Sequence, residues 1–282
     1  MKVFIEGVGV IGPGLNGWSA SQAILAGVAP YLPAAPVIPP SDLLPSAERR
    51  RTGLPVKLAL AIGCEAIAQS RRNASELSTV FASSAGDGDN MHCIFDMLSK
   101  NGREVSPTRF HNSVHNAPSG YWSIATKSMA SSTSLACFDA SFVAGLIEAA
   151  TQARASGNAV VLIAYDVPYP QPLHAARPIG GTFGVALTLA GDKTSRSLAQ
   201  LEIGISRKEN AATAIANDVL ETLRMNIPAA RSLPLLAALA TLNSEKIGIP
   251  DKILDKIPGK ISGKIYFDYI AGNQLDVVVR PC

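Results

Sequence analysis

Short apolar runs punctuated by glycine alternate with alanine-rich helical stretches along most of this chain, and that alternation restricts the fold before any motif is considered. Residues 2–10 (KVFIEGVGV) read as a buried strand. A glycine- and proline-rich turn and a helix over about 17–26 follow, ending at Gly27. Residues 28–54 hold many of the prolines and the triplet Arg49, Arg50, Arg51, the composition of a surface excursion. The pattern then predicts a helix over 55–69, a strand over 77–84 and a helix over 91–100. After a polar stretch at 106–126, a strand over 132–138 leads into a helix over 141–155, with further strands over 159–166 and 181–191. Such strand–helix–strand order predicts an α/β protein with a mostly parallel sheet covered by helices. The remainder reads as a strand over 200–206, helices over 211–225 and 233–242, and a terminal hairpin from 263–270 and 274–280.

Composition excludes several classes. With 282 residues, 47% hydrophobic and 17% charged, the chain can bury a large core and does not have the profile of a disordered one. A net charge of +3 and 6% aromatic content offer neither a strong basic field nor stacking platforms, so nucleic acid is not an expected partner. No apolar run approaches the roughly 20 residues of a membrane helix, so no membrane insertion is expected. The four cysteines form no CxxC pair and, with no leader before the first strand, read as reduced thiols of a cytoplasmic protein.

The motifs divide into structural and chemical ones. Gly7, Gly9 and Gly12 match GxGxxG after a strand, but Pro13 and Gly14 lengthen the loop. No acidic side chain lies between Glu6 and Asp42 to meet a ribose, so these glycines are read as close backbone packing and no cofactor is expected. His111 and His115 stand four apart. His92, Cys93 and Asp96 do not complete a metal spacing with them, so no metal is expected. Cys137, at a strand end before a helix, is a candidate nucleophile with His111 or His115 as its base; the alternative is a buried apolar thiol. Lys246, Lys252, Lys256, Lys260 and Lys264 make a basic tail, read as a solvated surface or as a dock for an acidic partner.

Five segments together resemble the β-ketoacyl synthases of the thiolase superfamily. VFIEGVGVIGPGLNGWSASQAILAG is similar to the family's first strand, glycine turn and helix, and VFASSAGDGDN to a later strand and glycine loop. SPTRFHNSVHNAPSGYWSIA places Asn116, Gly120, Ser123 and Ile124 as the family does. GGTFGVALTLA and IAGNQLDVVVRP resemble a central strand and the closing strand pair. The resemblance implies a thiolase-like layered αβα fold, with a complete N-terminal half (1–199) and a shortened C-terminal half (200–282) in one compact unit.

In that family a cysteine at a strand-to-helix turn carries the acyl chain, and two histidines of the second half handle charge. Counting along this sequence places the nucleophile position at Asp139 or Ala140, two or three residues past Cys137. No histidine follows His174. Condensation by this route needs a thiolate and imidazoles. The resemblance therefore implies a non-catalytic chain-length-factor subunit, similar to the short ketosynthase-like proteins of bacterial aryl-polyene pathways. Its partners would be a full-length β-ketoacyl synthase and, through it, acyl carrier protein. By the family's geometry Ser132, Ser134, Leu135, Ala136 and Cys137 would line the dimer interface, and Phe110, Val114, Tyr121 and Phe138 would wall the partner's acyl tunnel. Two alternatives stay open: an autonomous acyltransferase or thioesterase using Cys137, and a carrier-protein-binding scaffold.

Overall fold

The computed structural model describes residues 1–100, 104–242 and 263–282. Its first elements are β1 (Lys2–Gly12), β2 (Leu15–Asn16), α1 (Trp18–Leu25), α2 (Ser46–Arg51), α3 (Leu54–Ser70) and β3 (Ser78–Ala82). Then come α4 (Gly88–Ser99), α5 (Pro107–His111), α6 (Ala117–Thr126), β4 (Ser132–Leu135), α7 (Ser141–Ser156) and β5 (Val160–Asp166). The last are α8 (Leu173–Ala176), β6 (Phe183–Ala190), β7 (Ala199–Arg207), α9 (Asp218–Asn226), α10 (Leu233–Leu242), β8 (Lys264–Asp268) and β9 (Asn273–Pro281).

The strands form one sheet in the order β4-β3-β5-β6-β1-β7-β9-β8, with β2 added to β1. Among the described residues, β3 pairs parallel with β4 and β5, and every other pairing is antiparallel. The expectation of a mostly parallel sheet is thus corrected. Parallel neighbours need a crossover; β3 to β4 and β4 to β5 have helices for it, whereas only four-residue α8 lies between β5 and β6. Helices α3 and α6 cover one face, around Leu58, Ile62, Phe81, Trp122 and Ile163. The other face packs on α1, α7 and α10 through Trp18, Phe142, Leu146, Leu235 and Leu239. Because β7 pairs with both β1 and β9, residues beyond 199 extend the same sheet as those before it.

The middle of that sheet depends on α3. Beyond Ile5, β1 has left β7, and the N–H groups of Val8 and Val10 donate to Gln69 Oε1 at 2.6 Å and Glu65 Oε2 at 3.0 Å. Glu65 Oε1 also accepts the Trp18 N–H at 2.5 Å, capping α1 where Gly17 has no side chain to do so. A Cβ on Gly7 or Gly9 would run into the main-chain carbonyls of Ala66 and Ile62. These glycines let helix and strand backbones touch.

Three element boundaries differ clearly from expectation; the helix predicted over 91–100 begins three residues earlier, at Gly88. The strand predicted over 132–138 stops at Leu135. The helix predicted over 211–225 begins only at Asp218, where Asn217 Oδ1 accepts the N–H groups of Val219 and Leu220. The alanine-rich segment before it is drawn to β8 instead: Thr213 N–H donates to Tyr266 O at 2.9 Å, and Thr213 Oγ1 accepts the Tyr266 N–H at 2.9 Å. Gly9→Ala is expected to cost about 1–3 kcal/mol in denaturant unfolding, because neither backbone can yield. Gly204→Ala, which meets nothing within 4 Å, should change stability by less than about 0.5 kcal/mol.

Candidate functional site

Past Leu135 the chain turns from strand to helix through Ala136, Cys137 and a 3₁₀ turn at Phe138–Ala140. Phe138 has φ 50°, a left-handed conformation that a bulky side chain adopts only at a cost of about 1–3 kcal/mol. Among the described residues, Arg71 and Lys127 share that conformation at helix ends and Ala271 in the closing hairpin; Phe138 stands at a strand-to-helix turn. The surroundings hold it there. Cys137 N–H donates to Ser141 Oγ at 2.9 Å, and that hydroxyl donates to Phe138 O at 2.7 Å. The guanidinium carbon of Arg177 lies 3.4 Å from the Phe138 ring centroid, a cation–π contact.

Asp139 is clamped by two arginines. Arg177 Nη2 reaches Oδ1 at 3.0 Å and Arg231 Nη2 reaches Oδ2 at 3.1 Å. Arg177 Nη2 also donates to Ser84 Oγ at 2.5 Å. Behind this layer the carboxylate of Asp166, buried at the end of β5, accepts the N–H of Ser84 and the N–H of Ala229, both at 2.8 Å. Burial pushes the Asp166 carboxyl up to about 7, against the pull of those N–H groups and of Arg177. A cavity of about 450 Å³ opens beside the turn, walled by Phe138, Asp139, Arg177, Ile179, Met225 and Pro228.

A strained strand-to-helix turn in a layered α/β sheet is the setting in which several enzyme families hold a nucleophile. Residues 18–243 match the family described as beta-ketoacyl synthase, N-terminal domain. The chain belongs to this family. Its fold is shared by the ketosynthase (ApeO) in complex with its chain length factor (ApeC) from Xenorhabdus doucetiae, with TM-score 0.70, 19% identity and 99% of both chains covered. The ishigamide ketosynthase/chain length factor aligns with TM-score 0.69 at 14% identity, again over 99% of both chains. A type II polyketide synthase acyl-carrier protein in complex with its ketosynthase bound to the hexaketide (AntDE:AntF) gives TM-score 0.71 at 11% identity, over 100% of this chain and 99% of that one. No curated protein sequence matches the chain.

Within this ketosynthase fold, the two sequence counts for the nucleophile position fall at Asp139 and Ala140, one and two residues past the strained Phe138. Cys137, one residue before it, is half-buried, and among the described residues no hydrogen bond reaches its Sγ. The two imidazoles considered as its base have other contacts. His115 Nε2 lies 3.1 Å from Leu135 O, and His111 packs edge-on to Tyr121 at 6.3 Å between ring centroids. No group of three His, Cys, Asp or Glu side chains among the described residues is placed to hold a metal.

Ser132, Ser134 and Leu135 lie in β4, the edge strand of the sheet; Ala136 is exposed just past it. The four tunnel candidates separate. Phe110, Val114 and Phe138 are 71%, 53% and 63% exposed, whereas Tyr121 is buried in the core, its hydroxyl donating to Asn112 Oδ1 at 3.0 Å. Two further exposed apolar side chains, which the sequence reading did not assign to an interface, stand on the stretch leading into β4: Ile124 on α6 and Met129 between α6 and β4. Of the lysine series, Lys264 pairs with Asp276 at 3.2 Å, and Lys246, Lys252, Lys256 and Lys260 lie outside the described residues. A second cavity, of about 690 Å³, is lined by Arg50, Arg51 and Arg109 together with Asp87 and Asp89.

The raised Asp166 value fixes a sign for pH dependence. An ordinary aspartate loses its proton near 3.8, so between about 4 and 7 the native state holds a proton that the unfolded chain has released. The stabilisation is full in acid and is lost as pH rises through 7. The urea midpoint is expected to fall between about pH 5 and about pH 7.5. In Asp166→Asn that fall should shrink, although the variant starts lower because its amide cannot satisfy both N–H groups.

Proposed function

We propose that this chain is the non-catalytic chain-length-factor subunit of a β-ketoacyl synthase heterodimer, extending acyl chains held on acyl carrier protein in the cytoplasm. One observation carries the reading: the strained turn where the fold can present a nucleophile carries Phe138, and an arginine–aspartate clamp occupies the space around it. Neither the Phe138 ring, the arginine-paired carboxylate of Asp139 nor the methyl group of Ala140 supplies the thiolate that acyl transfer by this route needs. What remains to such a subunit is shape.

The open edge supports that role. Among the described residues, β4 pairs only with β3 and, like β8 at the other end of the sheet, leaves an edge to which a second strand could add. Ile124, Met129 and Phe138, before and after β4 along the chain, are exposed apolar side chains that a partner could bury. Phe110 and Val114 sit on the segment that His115 ties to the end of β4, so they would meet the same partner and close a wall of its acyl tunnel. Bulk there limits the product, because an overlong acyl chain must displace packed side chains at about 1–3 kcal/mol. The structures of a ketosynthase with its chain length factor share this fold.

Co-expression with the ketosynthase of the same pathway tests the proposal. A 1:1 complex is expected, and Phe110→Ala should shift its products toward longer chains. Unchanged product length would favour a scaffold without a tunnel wall. Ile124→Asp and Met129→Asp should leave unfolding of the isolated chain within about 0.5 kcal/mol. The same variants should weaken the heterodimer about tenfold or more in a sedimentation titration.

A further inference from the structure

The cavity of about 690 Å³ gathers charges of both signs that do not pair with one another. Arg50, Arg51 and Arg109 line it together with Asp87 and Asp89. Arg51 reaches Glu48, which is not part of the lining, at 3.3 Å. Among the described residues, the side chains of Arg50, Arg109 and Asp89 make no hydrogen bond and no ion pair. Asp87 Oδ1 accepts the Asn90 N–H at 3.0 Å at the start of α4, and its Oδ2 lies so close to Gly53 that a Cβ there would come within 2.4 Å. Burial raises the Asp87 carboxyl, Asp89 adds to that rise and Arg109 opposes it, so these charges feel one another without forming a pair.

The other walls narrow what such a site can take. Thr52, Ser106, Thr108 and Thr182 add hydroxyls, while Asn112 is committed to Arg51 O and to the Tyr121 hydroxyl. Gly53, Leu54, Pro55, Val167 and Pro168 are the apolar share, and Tyr169 is the one aromatic ring of the lining. A hydrocarbon chain here would strip water from five charged groups. A bare anion would face two carboxylates, and a bare cation three guanidiniums. A phosphate ester of a sugar answers both signs. Guanidinium forks match phosphate oxygens, and carboxylates accept hydroxyls, as an acidic side chain does from a ribose. The volume is that of a small-molecule pocket.

We propose that this cavity is a binding site for a sugar phosphate, with Arg50, Arg51 and Arg109 holding the phosphate and Asp87 and Asp89 accepting the sugar hydroxyls. The site is independent of the chain-length reading, since it needs no partner subunit. Isothermal titration of the full chain with ribose 5-phosphate at constant ionic strength tests it, with inorganic phosphate and ribose as comparisons. Saturable binding of ribose 5-phosphate is expected, about tenfold or more tighter than either comparison compound. Arg109→Gln should weaken it about tenfold or more, as loss of a charge-assisted contact does. Asp89→Ala should narrow the preference over inorganic phosphate, because it removes both a hydroxyl acceptor and a charge that opposes the bare anion. Neither substitution takes a side-chain hydrogen bond from the fold, so both variants should melt as the parent chain does. Absence of saturable binding, inorganic phosphate or ribose binding as tightly, or either variant binding like the parent chain would overturn the site.

Discussion

The carboxylate of Asp166 joins the parts of the candidate site. It terminates a strand buried along its whole length, and its two oxygens collect main-chain N–H groups from the loop after β3 and from the turn before α10. Two segments more than a hundred residues apart are thereby held against one strand end. On that base stand Ser84, which receives Arg177, and the turn carrying Arg231, and those two arginines meet on Asp139. Without the buried carboxylate, the N–H groups of Ser84 and Ala229 would lack their acceptor, and the turn at Phe138 and Asp139 would lose the support of both arginines.

The clamp also explains why a poor backbone conformation persists. A left-handed phenylalanine survives only where its surroundings over-determine it. Here a hydroxyl bridges the turn to the first residue of α7 and a guanidinium covers the ring. The same turn carries an ion-pair cluster, Asp139 held between Arg177 and Arg231. Next to it β4 stands at an edge of the sheet, with Phe138 exposed just beyond its end.

Much of the fold was legible in the sequence, because strand and helix periodicities differ and the strongest segments are long. The glycines at 7 and 9 read correctly as packing rather than nucleotide binding; no acidic partner followed them, and a carbonyl-lined helix turned out to face them. Strand direction was misread: apolar runs mark a strand but not its sense, and the telling sign, the lack of a long helix between β5 and β6, was passed over. Alanine content made 211–217 look helical, and pairing of Thr213 with β8 overrode that propensity. The two counts for the nucleophile position, Asp139 and Ala140, fall beside the strained Phe138, which is not a glycine and so carries no sequence mark. Asp166, Arg177 and Arg231 were missed altogether, since they share no local spacing. The one clue was an aspartate closing an otherwise apolar strand.

The proposed role is that this chain shapes acyl transfer without carrying the acyl group. Intact-protein mass spectrometry, after the reconstituted heterodimer is incubated with acyl-loaded carrier protein, measures this directly. The ketosynthase partner should gain the acyl mass while this chain keeps its own. An acyl adduct on this chain, mapped to Cys137, would contradict the account.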